Sequence, residues 1–142
     1  LPLQAQEIQS PSSQNYNQGV SLFNNGLYEE AIAEFEHFLN THSEHNLRPS
    51  AGFYLARAKA RVDSVNTLAY YESFIHKYPQ SELSSKLLFE LGQHAEKREQ
   101  YDKSLTFYQR ALSLGLDSKN AARTYYWMGE AAASNEDNQQ AR

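Results

Sequence analysis

The residues best suited to metal chemistry are histidines close to one predicted helix end. His42 and His45 are three residues apart, Glu44 lies between them, and His37 precedes them by five residues. A structural zinc site needs about four ligands held in register, whereas these residues fall across a helix end and the following turn. The pattern therefore favours turn residues in contact with solvent, and we predict no metal site.

No other group of reactive residues predicts catalysis. The sequence has no cysteine, which excludes thiol catalysis, thiolate zinc sites and disulfides within these residues. The six glycines are scattered and form neither a Gly-x-x-x-x-Gly-Lys phosphate loop nor a Gly-x-Ser-x-Gly nucleophile turn. His76 and His94 have no partner that spacing identifies. We therefore predict no enzymatic activity, no catalytic residue and no bound cofactor.

Composition favours a folded helical protein. Hydrophobic residues make up 40% of the 142 residues, and Ala, Leu, Glu, Gln and Lys are common while Val and Ile are scarce. The net charge of −4 gives no electrostatic footprint for nucleic acid, so we predict no nucleic-acid partner. No apolar run reaches the roughly 18 residues of a membrane-spanning helix.

Two segments share one helical pattern of apolar residues. In each segment the residues at i, i+3, i+4, i+7, i+10 and i+11 form one face of a helix. In the first segment these residues are Tyr28, Ala31, Ile32, Phe35, Phe38 and Leu39. In the second they are Tyr101, Ser104, Leu105, Tyr108, Ala111 and Leu112, at the same offset from the first segment at every position. Gly26 and Pro79 interrupt helices, and Ser81 and Ser118 are candidate N-caps. The predicted helices lie near 14–24, 28–41, 50–62, 65–77, 82–97, 101–114 and 118–133.

Glycines recur with a related period. Gly92 and Gly129 are 37 residues apart. Gly19 precedes Gly92 by almost two such periods, which is the same offset that separates the two segments. The run Gly26-Leu27-Tyr28-Glu29-Glu30-Ala31-Ile32-Ala33-Glu34-Phe35 resembles the turn and second helix of a tetratricopeptide repeat. The third repeat matches the same pattern at Leu91, Gly92, Tyr101, Tyr108, Ala111 and Leu112. A fourth repeat begins with Tyr125, Met128, Gly129 and Ala141. The second repeat departs from it, with Leu55 at the usual glycine and Thr67 at the usual small residue.

The resemblance implies an all-α fold, a right-handed superhelical array (solenoid) of antiparallel helical hairpins. The repeats would span 14–47, 48–81, 82–117 and 118–142, with a loose leader at 1–13 that could include the end of a signal peptide. The chain ends inside the second helix of the fourth hairpin, which predicts a longer protein. The recurring rings would form the core, with Tyr108 buried between helices: Tyr28, Phe35, Tyr71, Phe74, Tyr101 and Tyr108.

A narrower resemblance suggests a cellular location. The junction Tyr71-Glu72-Ser73-Phe74-Ile75-His76-Lys77-Tyr78-Pro79-Gln80-Ser81 is similar to that of bacterial envelope tetratricopeptide proteins, including an outer-membrane assembly lipoprotein and a Tol-Pal-associated factor. It predicts a periplasmic or envelope location, although a cytoplasmic one stays open.

The resemblance also implies a binding surface. In tetratricopeptide arrays the first helix of each hairpin lines a concave groove, which here would bind a partner peptide or protein segment through rings and a few charges: Tyr16, Phe23, Lys59, Lys86, Phe89, Gln93, Arg123, Tyr126 and Glu130. Two alternatives stay open: a structural cap of a longer solenoid with no ligand of its own, and a periplasmic glycan or peptidoglycan binder. Self-association is a further possibility.

Overall fold

A computed structural model describes residues 13–43, 45–116 and 118–141. Every regular element in these ranges is helical, which confirms the predicted all-α class. The elements are α1 (Gln14–Asn24), α2 (Tyr28–Thr41), α3 (Arg48–Val62), a 3₁₀ turn (Ser64–Asn66), α4 (Thr67–Lys77), α5 (Glu82–Lys97), α6 (Tyr101–Ser113) and α7 (Ser118–Gln140). The predicted leader lies outside the described residues except for Ser13, which is buried.

Most helix boundaries follow the sequence signals. The predicted limits of α1, α2 and α5 are confirmed. Ser81 caps α5 as predicted, because its Oγ accepts a hydrogen bond of 3.1 Å from the backbone N–H of Leu83.

The last helix differs from the prediction. A turn was expected after residue 133, but α7 continues without a break to Gln140, so the described residues contain no second helix of a fourth hairpin. The first and third hairpins turn at a residue in the left-handed region seven positions after the repeat glycine, namely Gly26 (φ 78°) and Glu99 (φ 61°). Glu136 holds that position in α7, and neither glycine nor proline occurs between it and the end of the helix.

The chain divides into two compact units between Phe74 and Ile75. In unit 1, α1 packs on α2 and α2 packs on α3. The core of these three helices contains Ala31, Phe35, Phe38 and Ala51, all of them fully buried. A Cβ added to Gly19 would lie 2.7 Å from Cε1 of Phe35, so the ring of α2 needs a glycine opposite it in α1.

Unit 2 repeats this arrangement. Its α5 packs on α6 and α6 packs on α7, around a core that includes Leu87, Leu88 and Tyr108. Tyr108 is fully buried, which confirms its predicted place. Its ring packs directly on Gly92: a Cβ added to Gly92 would lie 2.9 Å from Cζ of Tyr108 and still closer to two other carbons of that ring. The glycine and the ring have the same separation along the chain in both units, since Gly19 faces Phe35 and Gly92 faces Tyr108.

Candidate partner-binding surface

The three predicted groove residues of unit 1 already contact their own unit. The Tyr16 ring lies 6.1 Å from Phe35, 5.9 Å from Phe38 and 6.4 Å from Tyr54, measured between centroids. Burial, together with the nearby Tyr54, raises the pKa of Tyr16. Its side chain therefore completes the aromatic cluster that joins α1, α2 and α3.

Phe23 and Lys59 also contact side chains of their own unit. The Phe23 ring lies 5.3 Å from both Tyr28 and Tyr54, and the Arg57 guanidinium lies 5.3 Å above it. Lys59 Nζ forms an ion pair of 3.4 Å with Glu36. Sequence reasoning missed Tyr54 and Arg57, although their spacing of three on α3 would place them on one helix face.

The six predicted residues of unit 2 form two matching rows. Each row runs base, ring, polar residue at spacings of three and four, and the second row follows the first by 37 residues: Lys86, Phe89, Gln93 on α5, and Arg123, Tyr126, Glu130 on α7. Residues at these spacings share one face of a helix. We call these six residues the α5–α7 surface.

One contact brings the two rows together. The Arg123 guanidinium lies 5.7 Å above the Phe89 ring, a cation–π contact between the rows. Phe89 also packs on the buried core, with 5.7 Å between its centroid and that of Tyr108. Phe89 is therefore half-buried and held by two contacts, as a preorganised anchor would be.

Tyr126 is the open part of this surface. It is 61% exposed, and its ring meets the edge of Trp127 at 5.4 Å. Lys86, Arg123 and Glu130 are exposed beside it. The surface thus combines one fixed ring, one open ring and charged groups that remain accessible to solvent.

Glu96, near this surface, is engaged in the core. Its Oε2 accepts a hydrogen bond of 2.9 Å from the Tyr108 hydroxyl. Burial first, and then this carboxylate, raise the pKa of Tyr108 far above its ordinary range, so the phenol stays a neutral donor. Glu96 therefore supports the ring beneath Phe89.

Sequence reasoning also missed Tyr125, which is 64% exposed on α7. Its counterpart one repeat earlier, Leu88, is buried in α5. The spacing gave no signal for the difference, because it places both residues at a core position.

His42 and His45 near the end of α2 are partly exposed, as predicted, and both also pack on an aromatic ring. The ring of His42 stacks on Phe38 at 4.9 Å, and His45 meets the edge of Phe38 at 5.1 Å. Phe38 supplies an apolar platform that a helix-end pattern does not reveal. Glu44 lies outside the described residues, and no group of three potential metal ligands occurs within those that are described.

Comparisons with known proteins add no family. No helix in the described ranges is long and apolar enough to cross a membrane. No protein-family model matches the sequence, and no curated protein matches it either.

Proposed function

We propose that this chain is a protein-binding module made of tetratricopeptide-like helical hairpins in a right-handed superhelical array. The support is structural repetition: Gly19 with Phe35 and Gly92 with Tyr108 make the same contact at the same spacing. Each contact joins the two helices of a hairpin, and the offset between the two glycines equals the offset between the two rings. Repeat proteins of this kind present extended surfaces that bind other proteins.

The α5–α7 surface is the proposed binding site. The observation that carries the proposal is the Arg123–Phe89 contact, because it places two rows of identical chemical pattern side by side. Tyr126 extends the apolar part of the surface, and Lys86 stands one turn before Phe89 on α5. A partner segment could therefore meet a ring on each helix with a base close to each ring.

The expected partner is a peptide segment with apolar and acidic side chains. Its apolar groups would bury Phe89 and Tyr126, which contributes roughly 25 cal/mol per Å² of apolar area before ordering costs. Its carboxylates would meet Lys86 and Arg123, which would mainly raise the association rate and select acidic partners. The junction at residues 71–81 leads us to propose that this partner occurs in a bacterial envelope.

A structural role is the second candidate, and one observation favours it for unit 1. Tyr16 and Phe23 are occupied by contacts with Tyr54 and Arg57. The first-helix rings of that unit would then stabilise the array without binding a ligand, and binding would be restricted to unit 2.

A peptide-display selection tests the binding proposal. Immobilised protein would be challenged with a random peptide library, and peptides with an aromatic or aliphatic residue near Asp or Glu should be enriched. The Phe89→Ala, Tyr126→Ala double variant should lose at least about tenfold in affinity for those peptides, equal to about 1.4 kcal/mol. Arg123→Glu should lower the association rate.

A matched control removes exposed apolar side chains elsewhere. Val65 and Leu68 are 89% and 50% exposed, so Val65→Ala, Leu68→Ala deletes a comparable exposed surface and should bind like the unaltered protein. The proposal fails if no peptide family is enriched, or if the folded Phe89/Tyr126 variant binds the selected peptides with unchanged affinity.

A further inference from the structure

A second surface of α7 has the pattern of a helix-packing seam, and no described residue covers it. Six residues at spacings of 4, 3, 4, 3 and 4 lie on one face of this helix: Ser118, Ala122, Tyr125, Gly129, Ala132 and Glu136. This alternation of three and four is the spacing by which helices pack along a shared seam. We call these residues the α7 stripe. Tyr125 is 64% exposed, and Ala132 is the one partly buried member.

The corresponding stripe of α5 shows what normally covers such a face. The equivalent residues one repeat earlier include Ser85, Leu88, Gly92 and Ala95, all of them buried. Helix α6 packs on α5 there, with its Tyr108 ring against Gly92. The repeated position therefore accepts an antiparallel helix that brings a ring to the glycine.

Gly129 lacks this cover. A Cβ added to it would meet no atom within 4 Å, whereas Gly19 and Gly92 each face a ring. Helix α7 continues for eleven residues past Gly129, which carries the chain about 16 Å farther along the axis. No described residue returns to cover the stripe.

The charges of α7 indicate the occupant. Glu136 lies on the stripe near its C-terminal end, and Lys119 is next to Ser118 at its N-terminal end. Two such helices in antiparallel orientation place Lys119 of each copy near Glu136 of the other. The two ends of the stripe are therefore complementary in charge to those of a second copy.

We propose that the chain self-associates through the α7 stripe, with α7 of one copy packed antiparallel on α7 of a second copy. In the register that sets Tyr125 of one copy against Gly129 of the other, two-fold symmetry makes the same contact twice. Both open glycines then receive a ring, and Ala122 faces Ala132. Lys119 lies level with residues 135–136 of the second copy, within reach of Glu136.

The expected dimer is reversible. The stripe is about 27 Å long, at about 1.5 Å of rise per residue. A single helix face of that length buries less than the roughly 800 Å² per partner of a stable interface. Association should therefore depend on concentration over the micromolar range.

Sedimentation equilibrium and light scattering of the unaltered chain up to about 500 µM measure this association directly. A monomer–dimer equilibrium is expected. Ala122→Glu places an uncompensated charge in the seam and should weaken the dimer at least about tenfold. Gln109→Glu makes the same change in charge on an exposed position of α6 and should leave association unchanged.

Charge exchange tests the antiparallel register. Lys119→Glu and Glu136→Lys should each weaken the dimer, and the double variant should restore it because opposite charges again face each other. A parallel pair would align Lys119 with Lys119, so the double variant would then give no rescue.

Disulfide trapping tests the contact at Gly129. The chain has no cysteine, so a Tyr125→Cys, Gly129→Cys variant can form intermolecular disulfides only through the introduced thiols. It should run as a covalent dimer on a non-reducing gel, and Gln109→Cys should not. A chain that stays monomeric at the highest concentration overturns the proposal. A dimer that is insensitive to Ala122→Glu, or that no Cys pair traps, also overturns it.

Discussion

The two units use the rings of their first helices differently. In unit 1, Tyr16 and Phe23 are closed in by Tyr54 of α3. In unit 2, Phe89 is covered on one side by Tyr108 and contacted by Arg123, and Tyr126 remains 61% exposed. A repeat position is therefore structural or accessible according to the side chains that the next helix presents.

The hairpins beneath these rings are built alike. Each has a glycine whose missing Cβ admits an aromatic ring from the second helix. Phe35 in unit 1 is purely apolar, whereas Tyr108 in unit 2 donates its hydroxyl proton to Glu96. The two units thus share the contact between a glycine and a ring and differ in the exposure of their first-helix rings. Stability and binding can therefore be tested separately.

The largest expected effect on stability comes from removing the buried ring that packs on the repeat glycine in each unit. Phe35→Ala and Tyr108→Ala should each lower the free energy of unfolding by about 3–5 kcal/mol, because both rings are fully buried. Tyr108→Phe keeps the ring and loses only the bond to Glu96, so it should cost about 1–2 kcal/mol. Urea denaturation followed by circular dichroism measures these values. Near-neutral alanine variants would show that the rings do not form the cores of their units.

The contrast between the two units predicts that two tyrosines at equivalent repeat positions, Tyr16 and Tyr126, contribute unequally to the free energy of unfolding. Tyr16→Ala should destabilise by about 2–3 kcal/mol, because its ring packs on Phe35 and Phe38. Tyr126→Ala should change stability by no more than about 0.5 kcal/mol, since the ring is mostly in solvent. Equal costs in the same denaturation assay would remove the distinction between a structural and an accessible ring.

Three equivalent glycines should respond to alanine with different signs. Gly19→Ala and Gly92→Ala should cost about 1–3 kcal/mol, because the new methyl would overlap a buried ring. Gly129→Ala has open space and should stabilise α7 by about 0.5–1 kcal/mol through helix propensity. Thermal unfolding at low protein concentration tests this. A destabilising Gly129→Ala would mean that a ring already covers the position.

The sequence was sufficient to predict the all-α class, most helix boundaries and the burial of Phe35 and Tyr108. The spacings around Phe35 and Tyr108 follow the helical period, and this local regularity determines which face of a helix is buried. The end of α7 was mispredicted because a turn was transferred from the repeat, whereas neither glycine nor proline interrupts the helix at Glu136 or between it and Gln140.

The accessible surface was less predictable, because it depends on contacts between distant residues. The tetratricopeptide resemblance implied that Tyr16 and Tyr126 share one surface, since each lies three residues before a repeat glycine. It could not show that Tyr54 would cover the first and that nothing described would cover the second. For Tyr16 the cover comes from a ring in the next repeat, Tyr54, and a single repeat does not encode it.

The turns give a smaller comparison. Gly26 adopts φ 78° and Glu99 adopts φ 61° at equivalent positions. An L-residue in this region is strained by about 1–2 kcal/mol, whereas glycine is not. Glu99→Gly should therefore stabilise by about 0.5–1 kcal/mol after the entropy cost of glycine, and Gly26→Ala should destabilise by about 1 kcal/mol. Chemical denaturation checks both signs, and a destabilising Glu99→Gly would contradict the strain assigned to that turn.

The smallest expected effect is a pH dependence at His94 on α5, next to Gln93 of the α5–α7 surface. Burial first, then the positive charges of Arg98 and Lys97, lower the pKa of His94 from its ordinary value of about 6.5. The unfolded chain therefore binds the proton more readily than the folded one. The stability that neutral His94 provides is fully present above the unfolded pKa and is lost as the pH falls through that value. It levels off below the lowered pKa of the folded state. Replacing this residue in His94→Gln should flatten the corresponding part of the stability profile, measured by urea denaturation in steps from about pH 7.5 to 5. The other four histidines are unchanged in the variant, so the difference between the two profiles isolates His94. Identical slopes in both proteins would show that this imidazole is as well solvated in the folded unit as in the unfolded chain.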